Sequence, residues 1–236
     1  MKTINLTLSL FFLLLSCTTR EVTTVRQLES AILKSDELEK LSPDSVLTLL
    51  KQGNQNFIKR STKNRDPQTQ LAKSASIGQA PMAVVLSCID SRVPVETIFD
   101  MGIGDLFVAR VAGNVVSEDM LASMEYGCKY VGSKVVLVLG HEFCGAVNAA
   151  CAGLEDGNLT ELIDKIHPAV ELAQADGGDP FSKEFQSRAV GYNVDVMVAN
   201  VRNGSQILRE LERQGKIQIV GGVFNLDTGL VTLTTI

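Results

Sequence analysis

Four short apolar runs, Met82–Ser87, Leu106–Ala109, Lys134–Leu139 and Ile217–Phe224, are separated along much of the chain by stretches whose apolar positions recur at helical spacing. Runs that are apolar on both faces describe strands covered on two sides. Their alternation with helices predicts an α/β fold: a mostly parallel β-sheet flanked by helices. Helices are expected over Pro94–Phe99, Ser117–Val131 with Ser117 as cap, Cys144–Ala152, Leu159–Ala175, and Pro180–Glu212 with a break near Asn203-Gly204. In Leu226-Asp227-Thr228-Gly229-Leu230 the Asp and Gly supply turn chemistry between two strand-like runs, so the chain is expected to end in a hairpin with a C-terminal antiparallel edge strand. Upstream, Ser42 can cap, Pro43 suits a first helical position, and Val46, Leu47, Leu49, Leu50, Phe57 and Ile58 form an amphipathic N-terminal helical arm, with Gly53 a weak point in it. Lys59–Gln70, polar and containing Pro67, reads as a connecting loop.

The first residues follow a different pattern. Met1 and Lys2 precede an apolar run from Ile4 to Leu15, shorter than the roughly 20 residues of a membrane-spanning helix, which fits a signal-peptide core. It ends in Leu14-Leu15-Ser16-Cys17, which resembles the lipobox of bacterial lipoproteins, where the cysteine carries lipid. The alternative is an ordinary secretory signal with an incidental Cys17. Both readings export the chain, and lipid on Cys17 would attach it to a periplasmic or cell-surface membrane face without spanning the membrane. The expected division is 1–17 signal peptide, 18–41 tether, 42–78 helical arm and loop, and 79–236 α/β catalytic domain.

Composition narrows the function classes. With 22 Lys plus Arg against 27 Asp plus Glu, a net charge of -5 offers no phosphate-neutralising surface, so nucleic acid is excluded as an expected partner. Five cysteines scattered through 236 residues do not make the disulfide framework of a small secreted scaffold. Metal binding or catalysis is the better use for some of them, and export leaves a Cys128–Cys151 disulfide conceivable.

The chemistry gathers at two strand ends. Met82–Ser87 delivers Cys88-Ile89-Asp90-Ser91-Arg92, and Val135–Leu139 delivers Gly140-His141-Glu142-Phe143-Cys144-Gly145. In open α/β sheets, ligands bind at the carboxyl ends of the strands. Cys88, His141 and Cys144 there make two thiolates and one imidazole, and three protein ligands leave tetrahedral zinc one position for water, the count of a catalytic site. Alone, a strand-end cysteine is more often core packing, and His-x-x-Cys is a weak pattern; together they reinforce each other. Asp90 and Arg92 read either as a surface ion pair or as a carboxylate oriented beside the metal by an arginine fork.

Cys88-Ile89-Asp90-Ser91-Arg92-Val93-Pro94 followed by His141-Glu142-Phe143-Cys144-Gly145 resembles the β-class carbonic anhydrases, as do Gly104–Arg110, Ala112-Gly113-Asn114 and Ser123–Gly127. The resemblance covers most of the chain from about Ser42. It implies zinc on Cys88, His141 and Cys144, one ion per chain, a catalytic pair in Asp90 and Arg92, and reversible hydration of carbon dioxide to bicarbonate and a proton. By position, Gln79, Phe107 and Tyr126 match residues that line the substrate pocket in the plant-like branch, with Gln79 as a hydrogen-bond donor. Without the resemblance they read as a loop residue, a core aromatic and a helix tyrosine. It also implies a homodimer or higher even-numbered oligomer, with the cleft at the interface and N-terminal helices embracing the partner. Val85 stands where another branch carries a tryptophan of a bicarbonate-binding regulatory site, and the chain has no tryptophan, so that control is not expected. Ile89 is bulkier than the small residue often found there and would narrow the cleft. Two alternatives remain: hydrolysis of a related heterocumulene such as carbon disulfide, and a surface lipoprotein that binds zinc without turnover, against which Asp90 and Arg92 argue.

Overall fold

The computed structural model describes residues 34–234. Cys17 and the 1–17 signal segment lie outside them. Five strands, β1 (Ala83–Ser87), β2 (Leu106–Arg110), β3 (Val135–His141), β4 (Gln218–Phe224) and β5 (Val231–Thr234), form one sheet in the order β2-β1-β3-β4-β5. The first four are parallel, and β5 runs antiparallel at the edge, paired with β4 through Gly221–Phe224. Fold class and C-terminal hairpin are as the sequence predicts.

Strand geometry divides the core in two, because successive side chains leave opposite faces of a pleated strand. On one face Val84, Leu86, Val136 and Val138 pack toward Phe185, Val190, Val194, Met197 and Val198 of the long helix α9 (Lys183–Gly204). On the other, Ala83, Val85, Leu137 and Leu139 meet Val46, Leu49 and Leu50 of α2 (Pro43–Ile58) and Ile98 of the short α4 (Val95–Ile98). Every residue of β1 and β3 is buried, which explains why both read as unbroken apolar runs.

In α2, Ser42 caps by accepting from the Ser45 amide, and Gly53 lies inside an unbroken helix. A Cβ on Gly53 would stand 1.7 Å from the Phe99 carbonyl oxygen, so the missing side chain is what lets α2 approach the end of α4. Asn54 fastens the same helix to the C-terminal hairpin, donating to the Gly229 carbonyl at 2.8 Å and accepting from the Val231 amide at 2.9 Å.

Three expected boundaries change. The loop expected over Lys59–Gln70 ends at Asp66, which caps a helix α3 (Pro67–Ile77) through the Gln68 and Thr69 amides. No residue of α3 is buried, so it carries no amphipathic stripe to be read. The helix expected over Ser117–Val131 is α5 (Glu118–Glu125) followed by a wider π turn over Tyr126–Val131. Leu159–Ala175 is two helices, α7 (Gly157–Asp164) and α8 (His167–Ala175), because Pro168 occupies the first turn of a new helix. A short α1 (Ser35–Glu39) precedes α2; α6 (Gly145–Cys151) follows β3, and α10 (Gln206–Arg213) follows α9. The break near Gly204 falls where expected, and Ser205 caps α10 by accepting from the Leu208 amide.

Candidate metal centre

β1 and β3 are hydrogen-bonded neighbours in register, Ser87 beside Leu139, so their carboxyl ends are adjacent. Cys88 follows β1, His141 ends β3, and Cys144 stands at the N-cap of α6. The two Sγ atoms are 4.0 Å apart, and the ligand atoms of Cys88, His141 and Cys144 lie within 4.8 Å of one another, all three residues buried. Two sulfurs each about 2.3 Å from a tetrahedral ion stand roughly 3.8 Å apart, close to what is observed.

The donor chemistry fits a cation. The Cys88 thiol is held below its ordinary range, first by its hydrogen bond with Cys144, against burial and with help from His141 and the Asp90 and Gly113 amides. Cys144 is pushed up by Cys88, by burial and by repulsion from the neighbouring thiolate. Two sulfurs this close cannot both ionise without a positive charge between them. His141 Nδ1 donates to the Glu142 carbonyl at 2.9 Å, which leaves Nε2 as the free lone pair, and Nε2 is buried with no hydrogen-bond partner. An orphaned buried acceptor beside two buried sulfurs is what a metal would satisfy.

Asp90 stands at the edge of this cluster, its Oδ2 3.8 Å from His141 Nε2. Arg92 grips it with a two-pronged fork, Nε to Oδ1 at 2.9 Å and Nη2 to Oδ2 at 2.7 Å, and its amide also donates to Oδ1. That fork holds the carboxyl down to about 2, against the effect of burial, so it is ionised at any neutral or mildly acidic pH. Arg110, on β2, had no role assigned from sequence. Its Nε donates to the Cys88 carbonyl at 2.9 Å and its Nη2 to the Asp90 carbonyl at 2.6 Å, fixing the loop backbone from outside. An arginine at a strand's carboxyl end, next to the strand that delivers the ligand, was the available signal. Gly113 N–H points at Cys88 Sγ at 3.4 Å, with its own carbonyl held by Asn193 on α9 at 2.9 Å.

The remaining expected residues divide. Phe107 and Tyr126 meet, ring centroids 6.2 Å apart, and line with Val84, Ala109 and Met120 an open, mainly apolar depression of about 600 Å³. None of the three cluster residues lines it. Gln79 is exposed and precedes β1, whereas Cys88 follows it; five strand residues alone span about 16 Å. Within one chain Gln79 is therefore toward the amino ends of the parallel strands, away from the cluster at their carboxyl ends. Ile89 is exposed beside it. Cys128 and Cys151 are free thiols, and His167 is a surface residue with Asp164 3.5 Å away.

Comparison with known proteins gives a consistent picture. The carbonic anhydrase family profile matches residues 83–231. Carbonic anhydrase 2 of Mycobacterium tuberculosis is 35% identical over 197 residues, covering 81% of this chain and 93% of that protein. Among solved structures, the Coccomyxa β-carbonic anhydrase in complex with acetazolamide superposes with a TM-score of 0.62 at 30% identity, covering 70% of this chain and 76% of that one. A tetrameric β-carbonic anhydrase from Sordaria macrospora gives 0.64 at 28% identity, covering 70% and 86%.

Proposed function

Since the chain belongs to the β-class carbonic anhydrases, we propose that it binds one zinc ion on Cys88, His141 and Cys144 and uses it to hydrate carbon dioxide reversibly to bicarbonate and a proton. The observation that carries this is the buried pair of sulfurs with the unpartnered His141 Nε2 beside them and an ionised carboxylate 3.8 Å away. Zinc in such a site supplies Lewis-acid activation of water at neutral pH.

The chain's own groups do the rest. Arg92 engages Oδ1 twice, through its amide and Nε, but Oδ2 only once, so Oδ2 keeps a second lone pair on the side of the cluster. That lone pair accepts a hydrogen bond from water entering the cleft and turns the water's own lone pairs toward the carbon of the substrate. The same grip restrains Asp90 from closing onto the cluster. Arg110 and Gly113 hold the Cys88 loop so that sulfur and carboxylate keep their spacing. The test is stopped-flow carbon dioxide hydration with zinc quantified on the same sample. About one zinc per chain, with turnover abolished in Cys88→Ser, is expected; zinc without turnover from neutral to alkaline pH would overturn the assignment.

A second copy of the chain completes the pocket in this reading. Tyr126 and Tyr130 are 56% and 72% exposed, and α3 buries nothing within its own chain, as a surface awaiting a partner would. With two copies, Gln79, Phe107 and Tyr126 of one line the cleft at the cluster of the other. Export with lipid on Cys17 is supported by the apolar run ending in Leu14-Leu15-Ser16-Cys17. No helix among the described residues is long and apolar enough to cross a membrane, so attachment would rest on that lipid. Incorporation of labelled fatty acid, lost in Cys17→Ser, is the expected result.

A further inference from the structure

Phe143, between the two ligands of the β3–α6 turn, has φ +55°, in the left-handed region that bulky L-residues rarely occupy. Its ring lies outside the cluster, with Lys183 Nζ 5.8 Å from the ring centroid, and lines an outer depression shared with Phe57, Arg92 and Phe224. Its backbone faces the chemistry. The Phe143 carbonyl accepts from Arg92 Nη2 at 3.3 Å, while the same nitrogen donates to Asp90 Oδ2 at 2.7 Å. A guanidinium Nη carries two hydrogens, so Asp90 and Phe143 use both. The Arg92 side chain is 54% exposed, against 16% for Asp90. The turn that presents the carbonyl is itself fixed: the Glu142 amide donates to the Phe224 carbonyl at 3.0 Å, and the Glu142 carboxylate accepts from Asn225 at 2.8 Å.

We propose that Phe143 is a positioning residue: its left-handed backbone turns its carbonyl onto Arg92 and so latches the Cys88–Arg92 loop to the His141–Cys144 turn, keeping Asp90 aimed at the cluster. A right-handed or extended Phe143 would rotate that carbonyl away and leave Arg92 held by Asp90 alone. The strain stays because Glu142, held through its amide and its carboxylate, and Cys144, a metal ligand by the reading above, fix the turn on either side. The inference rests on Asp90 and Arg92 being the catalytic pair.

The experiment compares Phe143→Gly, Phe143→Ala and Phe143→Val in the full chain, with zinc content, kcat and KM measured for each. Glycine and alanine accept the left-handed turn at least as well as phenylalanine and are expected to keep kcat within about twofold. Valine, branched at Cβ, opposes it and is expected to keep zinc and KM while kcat falls about tenfold. On an Arg92→Ala background that further loss should vanish, since the latch has nothing left to hold. A full rate in Phe143→Val, losses that follow ring size so that glycine is worst, or a valine effect undiminished without Arg92 would each overturn the proposal. Should the valine chain not fold, NMR of the unmutated protein decides: a coupling across the hydrogen bond between Arg92 Nη2 and the Phe143 carbonyl carbon supports the latch, and its absence beside a detected Arg92–Asp90 coupling removes it. Asp90→Asn separates the two levels. A full rate there defeats the catalytic pair itself, whereas an impaired Asp90→Asn beside an unimpaired Phe143→Val defeats only the latch.

Discussion

Asp90 carries a charge beside the cluster that its own burial opposes. Arg92 settles the conflict, and with the carboxyl at about 2 its charge does not change from mildly acidic pH upward. Any fall in activity between neutrality and pH 5 therefore belongs to another group, and the pH profile should carry no inflection from Asp90 in that range. Asparagine at this position keeps the shape but returns a donor where an acceptor is required. Asp90→Asn is expected to hold its zinc while kcat drops about 10- to 100-fold, the usual cost of losing an outer partner of a metal site; stopped-flow hydration with metal analysis checks both halves. Cys88→Ser and His141→Ala differ in kind, since each removes a donor from a set of three, and zinc and rate should disappear together. These residues were legible in the sequence because their signal is local: two short motifs directly after two apolar runs. Arg110 was not, since its contacts are to backbone carbonyls of Cys88 and Asp90 across a strand pairing that no short spacing encodes.

Among the elements, those that bury a face announced themselves and those that do not were missed. The pattern Val46, Leu49, Leu50 gave α2 its limits, whereas α3 has a cap and a helix-starting proline but exposed Leu71 and Ile77, so periodicity offered nothing. The segment before α3 is nevertheless anchored. Arg65 Nη1 donates to Asp100 Oδ1 at 2.6 Å, joined there by the Lys63 amide at 3.0 Å, and Asn56 donates to Oδ2 at 2.9 Å. Burial of Asp100 opposes its charge, but Arg65, Asn56 and Lys63 outweigh it and leave the carboxyl below its usual range. Arg65→Ala strands that charge in a nearly dry site and should destabilise the protein by about 3 kcal/mol in urea unfolding. Because the folded-state pKa is depressed, the contribution is fully present above the ordinary carboxylate range and is lost as pH falls through it. The gap between wild type and Arg65→Ala should therefore narrow toward pH 3; a gap constant with pH would show that Arg65 acts through packing alone.

For the whole molecule, Gln79 makes the strongest demand. It precedes the strand that Cys88 follows, so the two residues cannot serve one cleft unless a second chain brings its Gln79 to the first chain's Cys88. Subunit mixing tests this directly. A Gln79→Ala chain keeps its cluster but supplies no donor, and its rate should fall about tenfold, the worth of one hydrogen bond to substrate. A Cys88→Ser chain supplies the donor but has no complete cluster and should be inactive. When the two are unfolded together and refolded, each mixed dimer contains one site that joins the intact Cys88 of one chain to the intact Gln79 of the other. The mixture should then exceed the average of its parents, rising toward half the wild-type rate per mixed dimer. Activity equal to that average would place Gln79 outside the partner's cleft. A protein sedimenting as a monomer at micromolar concentration would remove the two-chain site altogether, and with it the explanation for the exposed Tyr126, Tyr130 and α3.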